Sequence, residues 1–231
     1  MKKIFKLTAL LLLVGALVMG CKGNSDDDGL SGTWTKTITF QEPTDSSWSL
    51  SGNKLTFTKT NTSSLGINPG YIKRWPIFVS ASTFTGVKVK MSGSSSNGGH
   101  GLFFVDAENP KQCYRLGIRN GYVLLSKNVE IDDQNEVSTD LIATSKTGKT
   151  VYWGDWQDKI NKEPTENTVA FYTAKDGSIK LLVNDVLITS IAVPDIKSFY
   201  IATYADVAYE EAQANKTVSA KFNFEKFQTA K

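Results

Sequence analysis

Residues 101–127 read "GLFFVDAENPKQCYRLGIRNGYVLLSK", and their pattern decides how the rest of the chain is read. Apolar side chains recur at alternate positions in "CYRLGIR" and again in "YVLLSK", the period of a half-buried β-strand. Asn120-Gly121 stands between the two runs, and that dipeptide tolerates the left-handed backbone of a tight hairpin turn. A β-hairpin is therefore expected at residues 113–127.

The same period extends outward in both directions. Strands are expected at residues 33–40, 53–60, 86–92 and 100–107 before the hairpin, and at 138–145, 168–175, 178–184, 186–193, 198–205 and 218–227 after it. Asp176-Gly177 predicts a second hairpin turn, and Asn184-Asp185 a third corner. "SGSSSNGGHG" at 92–101 and "NKEPTENT" at 161–168 read as loops, and "ADVAYEEAQANKT" at 205–217 holds a helical turn. Short strands with such turns predict an all-β sandwich or barrel, written as one domain over residues 33–231 with no internal repeat.

The start of the chain has a different character. Lys2, Lys3 and Lys6 precede the apolar run "LTALLLLVGALVMG", an export signal over residues 1–20. The run spans about 14 residues, short of the roughly 20 that cross hydrocarbon. Its end, "VMGC", resembles the lipobox of bacterial lipoproteins, which implies cleavage before Cys21 and lipidation of that cysteine. Residues 21–32, "CKGNSDDDGLSG", are too polar to fold and form a flexible acidic tether. Asp after the lipidated cysteine retains such proteins at the inner membrane in enteric-type bacteria; Lys22 in its place favours the outer membrane or cell surface. Removing residues 1–20 takes three lysines and no acid from 26 basic and 23 acidic residues, leaving 23 of each. A near-neutral chain without a basic, aromatic-laced stretch is not expected to bind nucleic acid. Cys113 is the one cysteine besides Cys21, so no intramolecular disulfide is available and stability must come from a core.

The rhythm of residues 101–127 resembles the central strands of the concanavalin A-like lectin and glucanase superfamily, including laminin G-like modules. "VAFYTAKDGSIKLLVNDVLI" at 169–188 resembles paired strands of those modules. "VSAKFNFEKFQ" at 218–228 resembles their closing strand, which pairs near the first. This resemblance implies a two-sheet antiparallel jelly-roll sandwich. The rival is a lipocalin-like barrel, because "GTW" at 32–34 resembles the start of the lipocalin first strand.

Three stretches carry candidate chemistry. In "VEIDDQNEV" at 129–137, Glu130, Asp132 and Glu136 lie at even offsets and would share one face of a continuous strand. This resembles the catalytic strand of laminarinase-like glycosidases and implies Glu130 and Asp132 as the catalytic pair in that alternative. The polar "DQN" before Glu136 fits a solvated acidic loop better. Asp132, Asp133, Asn135 and Glu136, and Asp26 to Asp28 in the tether, offer oxygens for calcium, although neither run matches a calcium-loop pattern. No other cofactor is expected.

"VYWGDWQDK" at 151–159 is too polar for a core strand, yet it holds Trp153 and Trp156. An exposed indole covers the apolar face of a sugar ring while carboxylates accept its hydroxyls, so Trp153, Asp155, Trp156 and Asp158 form a candidate ligand site. Packing of both indoles onto the sandwich is the competing reading. Trp75 in "YIKRWPIF" at 71–78 is either a further rim platform or a core anchor beside an edge strand. His100 reads as a loop residue and Cys113 as a buried thiol. The sequence thus points to a lipid-anchored envelope protein acting in binding or adhesion, with carbohydrate or a host or envelope glycoprotein as its partner. Glycoside hydrolysis, or a structural role without a small ligand, are the alternatives.

Overall fold

The computed structural model of the chain describes residues 32–109, 113–127, 140–141, 160–191 and 197–229. In chain order these form β1 (Thr33–Thr35), β2 (Trp48–Ser51), β3 (Lys54–Lys59), a 3-10 turn (Thr62–Leu65), β4 (Ile72–Phe78), β5 (Gly86–Gly93), β6 (His100–Asp106) and β7 (Cys113–Arg119). Then follow β8 (Tyr122–Lys127), β9 (Asp140–Leu141), β10 (Asn167–Thr173), β11 (Ile179–Val183), β12 (Val186–Ile191), β13 (Phe199–Ala208), α1 (Tyr209–Gln213) and β14 (Val218–Thr229).

The hairpin at the centre forms as its dipeptide requires. Asn120 and Gly121 have φ of 49° and 76°, and Arg119 pairs with Tyr122 across the turn. Asn184 and Asp185 are also both left-handed, at 50° and 63°, and join β11 to β12 without a glycine. The Asn184 side chain helps hold this corner: its Oδ1 accepts the Thr168 amide at 2.8 Å and its Nδ2 donates to Asn167 Oδ1 at 2.8 Å. Asp176-Gly177 behaves differently. Only Gly177 is left-handed, and the Ala174 amide donates to the Ser178 carbonyl at 2.8 Å, so β10 and β11 are joined by a wider loop instead of a two-residue turn.

All pairings are antiparallel, and they sort the strands into two sheets. One has the order β12-β11-β10-β5-β14-β3-β2, with β1 paired to the far end of β14. The other has the order β4-β13-β6-β7-β8-β9. The consecutive strands β5 and β6 lie in different sheets, and each sheet ends in edge strands, so the chain forms a jelly-roll sandwich and not the lipocalin-like barrel. The corner between sheets is tied by backbone. Phe84 and Phe199 exchange both hydrogen bonds at 2.8 Å, while the next amide, of Thr85, donates to the Gln228 carbonyl of β14 at 2.8 Å.

Alternation places the apolar side chains of both sheets inside. Val87, Val89, Met91, Phe171, Leu181, Phe222 and Phe224 of the larger sheet meet Leu102, Phe104, Leu116, Ile118, Leu125 and Ile201 of the smaller one. Phe104 stacks on Phe171 across the gap, with centroids 3.9 Å apart and planes inclined by 9°, and Phe199 closes edge-on against both. Replacing Phe171 with Ala is expected to cost about 3–5 kcal/mol of unfolding free energy, measured by urea denaturation. A loss near zero would mean that the ring is not part of a packed core.

Candidate functional site

The outer face of the six-stranded sheet is built around two glycines. Gly101 of β6 pairs with Gly117 of β7, and Tyr204 of β13 pairs with Gly101. A Cβ on Gly117 would lie 2.5 Å from the Tyr204 hydroxyl oxygen, and one on Gly101 would lie 2.9 Å from its ring, so the phenol lies across the sheet where no other residue leaves room. Phe103 packs against Tyr204 at 4.9 Å. With Val105, Cys113 and Ala202 these two rings form a buried cluster separate from the sandwich core.

Charge enters the same face from β4. Arg74 and Asp206 are register partners, and Nε and Nη2 of the arginine donate to Oδ1 and Oδ2 at 2.9 and 2.8 Å. The guanidinium also lies 4.6 Å from the Tyr204 ring centroid. Both charged side chains are buried, and the bidentate fork is the geometry that offsets the desolvation of such a pair. Trp75, one residue along, points to the other side of the strand. It is 8% exposed, packs on Phe57 at 5.6 Å and is capped by the ammonium groups of Lys59 and Lys73 at 5.3 and 5.6 Å. The core-anchor reading of Trp75 describes it, and a buried ring offers no platform for a ligand.

The Gly-rich turn beside β6 is fastened to this face. Gly98 sits against Asp206, Gly99 accepts the Asp206 amide at 3.0 Å through its carbonyl, and the Asn97 amide donates to the buried Glu211 carboxylate at 3.3 Å. His100 is a strand residue, not a loop one. Its ring enters the core edge-on to Phe222 at 6.3 Å, neither nitrogen has a hydrogen-bond partner, and burial lowers its pKa from 6.5 to about 4. Cys113 is buried too, and burial pushes its thiol up to about 12. The thiol lies in the outer-face cluster and the imidazole in the core, with His100 paired to Ile118 and Cys113 to Val105 at opposite ends of the β6–β7 ladder. The two cannot exchange a proton as a nucleophile and its base must.

Most of the candidate lipidation, catalytic and ligand residues lie outside the described residues. Cys21 is among them, as are Asp26 to Asp28, Glu130, Asp132, Asp133, Asn135 and Glu136, and Trp153, Asp155, Trp156 and Asp158. Among the described residues, no group of three or more His, Cys, Asp or Glu gathers to hold a metal. The described flanks show where the tryptophan stretch is attached. It follows β9, which pairs with the β8 edge through Ser126↔Leu141, and the chain resumes at Ile160. There Ile160 is buried in the core, Glu163 accepts the Asn120 amide at 2.9 Å, and the Asn161 amide donates to Asn167 Oδ1 at 2.8 Å. This anchorage at the Asn120-Gly121 turn has no local sequence signal; "NKEPTENT" reads only as a polar loop. The Arg74–Asp206 pair is equally silent, because 132 residues separate its members.

Two outcomes follow from the buried charges. Asp206→Asn leaves Arg74 charged and half-partnered, and is expected to destabilise by about 3–5 kcal/mol in urea denaturation. Arg74→Met combined with Asp206→Leu should recover most of that loss. His100 stays neutral in the folded chain while the unfolded chain protonates it near pH 6.5. Stability should therefore fall as pH drops from 6.5 towards 4, by roughly 3 kcal/mol in total, and the drop should be absent in His100→Leu. An identical pH profile in that variant would contradict the assignment.

No protein-family model matches the chain, and comparison with curated proteins returns no match. Among solved structures it is similar to carbohydrate binding module CBM66 from Bacillus subtilis, at 10% identity and a TM-score of 0.40 over 87% of this chain and 97% of that one. It is similar to a glycosidic hydrolase at 11% identity and 0.43, over 79% and 80%. It is also similar to an alginate lyase from a Corynebacterium species at 14% identity and 0.41, over 82% and 81%. Likenesses this distant transfer neither a ligand nor a residue role; the sandwich is described by its own strand order.

Proposed function

We propose that the chain is a lipid-anchored cell-envelope protein that binds carbohydrate or the glycan of a glycoprotein. Signal cleavage after residue 20 and lipidation of Cys21 would hold it at the outer membrane or cell surface, with residues 21–32 as the tether. Trp153 and Trp156 supply the stacking surface, and Asp155 and Asp158 accept sugar hydroxyls. Trp75 has no part in this site, since its ring is buried.

The observation that carries the reading is the anchorage of the tryptophan stretch. The chain that contains it starts from an edge strand and ends on Ile160 and Glu163, clasped to the tightest turn of the sheet. Binding residues sit on connections held by such a scaffold. Among the described residues, the tryptophans of the core are Trp48 and Trp75, and Trp34 packs on Tyr172 at 6.1 Å.

The test is a glycan array probed with the mature protein and with Trp153→Ala and Trp156→Ala. Removing a stacking indole should weaken the retained glycan by about tenfold or more, in line with the loss of an aromatic hot spot. Unchanged binding in both variants would overturn the proposal. Release of reducing sugar that disappears in Glu130→Gln would replace it with glycoside hydrolysis.

A further inference from the structure

The outer face of the eight-stranded sheet carries a surface of another kind. The alternation that buries Val87, Val89 and Met91 in β5 turns Lys88, Lys90 and Ser92 outward. Neighbouring strands do the same, and register aligns the results in rows. Lys54 lies opposite Asn223, which lies opposite Lys90; Thr56 lies opposite Lys221, which lies opposite Ser92. These six residues line a groove of about 190 Å³. A second groove of about 110 Å³ shares Ser92 and Lys221 with it and continues along Ser94 and Ser219.

The charges in this groove are unequal. Lys90 is held by Glu225 at 2.8 Å, and Glu166 is the one acidic residue in the groove wall. Lys54 and Lys221 are exposed, and neither is ion-paired among the described residues. Lys88 and Lys226, opposite each other in a neighbouring row, extend the positive face. The chain after residue 20 has as many acidic as basic residues, so this concentration is a segregation of charge and not a general excess.

We propose that this groove binds an anionic polysaccharide. Carboxylate or sulfate groups would be met by the Lys54 and Lys221 ammonium groups, while sugar hydroxyls would bond to Thr56, Ser92 and Asn223. A recessed, hydroxyl- and amide-lined floor suits a hydrated sugar chain. An anionic bilayer instead favours a surface with apolar side chains to insert. Among the described residues, the exposed large apolar ones, Tyr71, Phe78 and Leu187, all lie outside the groove. None of the tryptophan-site residues lines this groove, whose walls come from β3, β5, β14 and Glu166.

The experiment titrates the mature protein with polygalacturonate, dextran sulfate, neutral dextran and phosphatidylglycerol vesicles. At least one of the two anionic polymers should bind, which of them distinguishing carboxylate from sulfate, and added salt should weaken that binding. Lys54→Ala with Lys221→Ala should weaken it by about tenfold, whereas Lys54→Arg with Lys221→Arg should retain it. Trp153→Ala with Trp156→Ala should leave it unchanged, which separates this surface from the proposed tryptophan site. Failure of both anionic polymers to bind would overturn the inference. So would equal binding of neutral dextran, indifference to the lysine-to-alanine pair, or lysine-dependent binding of the vesicles alone.

Discussion

The stack of Phe104 on Phe171 is the contact on which the remaining geometry depends, because it fixes which side of each strand faces inward. The rings meet at 3.9 Å across the space between the sheets, one from β6 and one from β10. Side chains alternate along a strand, so a slip of one residue in either would withdraw its ring and turn the neighbouring position into the core. On β10 that slip would put Thr168 and Ala170 inside; on β6 it would turn Phe104 to the outer face and bring Gly101 and Phe103 into the space between the sheets. Register, once fixed at these two strands, spreads through the ladders to Lys88 and Lys90 on one outer face and to Tyr204 and Arg74 on the other.

The two outer faces then diverge. On the six-stranded sheet the glycine pair admits Tyr204, and the Arg74–Asp206 fork cross-links an edge strand to its neighbour beneath a buried layer. A buried ion pair adds little net stability over a well-packed apolar one, but it penalises any arrangement that separates its partners. On the eight-stranded sheet the outward side chains stay wet, and lysines share that face with Ser, Thr and Asn. One sheet is suited to holding connections in place, the other to meeting charge in solution.

Much of this architecture is legible in the sequence because its signals are local. Asn120-Gly121 states its turn outright, and the long alternating runs of β5, β10 and β14 show their inner and outer residues. What is not legible depends on distant partners. β2 is only four residues, "WSLS", and acquires its strand character by pairing with β3. β4 contains Pro76 and two basic residues, and it is tolerated at the sheet edge, where one side of the strand needs no ladder partner. The expected strand at 33–40 stops at Thr35, whose hydroxyl bonds to the Thr37 amide and carbonyl at 3.2 Å. His100 shows neither its burial nor its missing partners in a sequence where it follows two glycines. Of the candidate ligand residues, Trp75 alone falls among the described residues, and its direction is set by the alternation that sends Arg74 the other way.

Under the proposed function, Trp48 and Trp75 build the sandwich while Trp153 and Trp156 meet the ligand, and indole N–H resonances report on the two groups separately. In a two-dimensional nitrogen–proton spectrum of the mature protein, titration with a glycan retained on the array should shift the Trp153 and Trp156 indole signals. Those of Trp48 and Trp75, enclosed between the sheets, should stay in place. Shifts confined to Trp48 and Trp75, or no indole shift at saturating glycan, would contradict it.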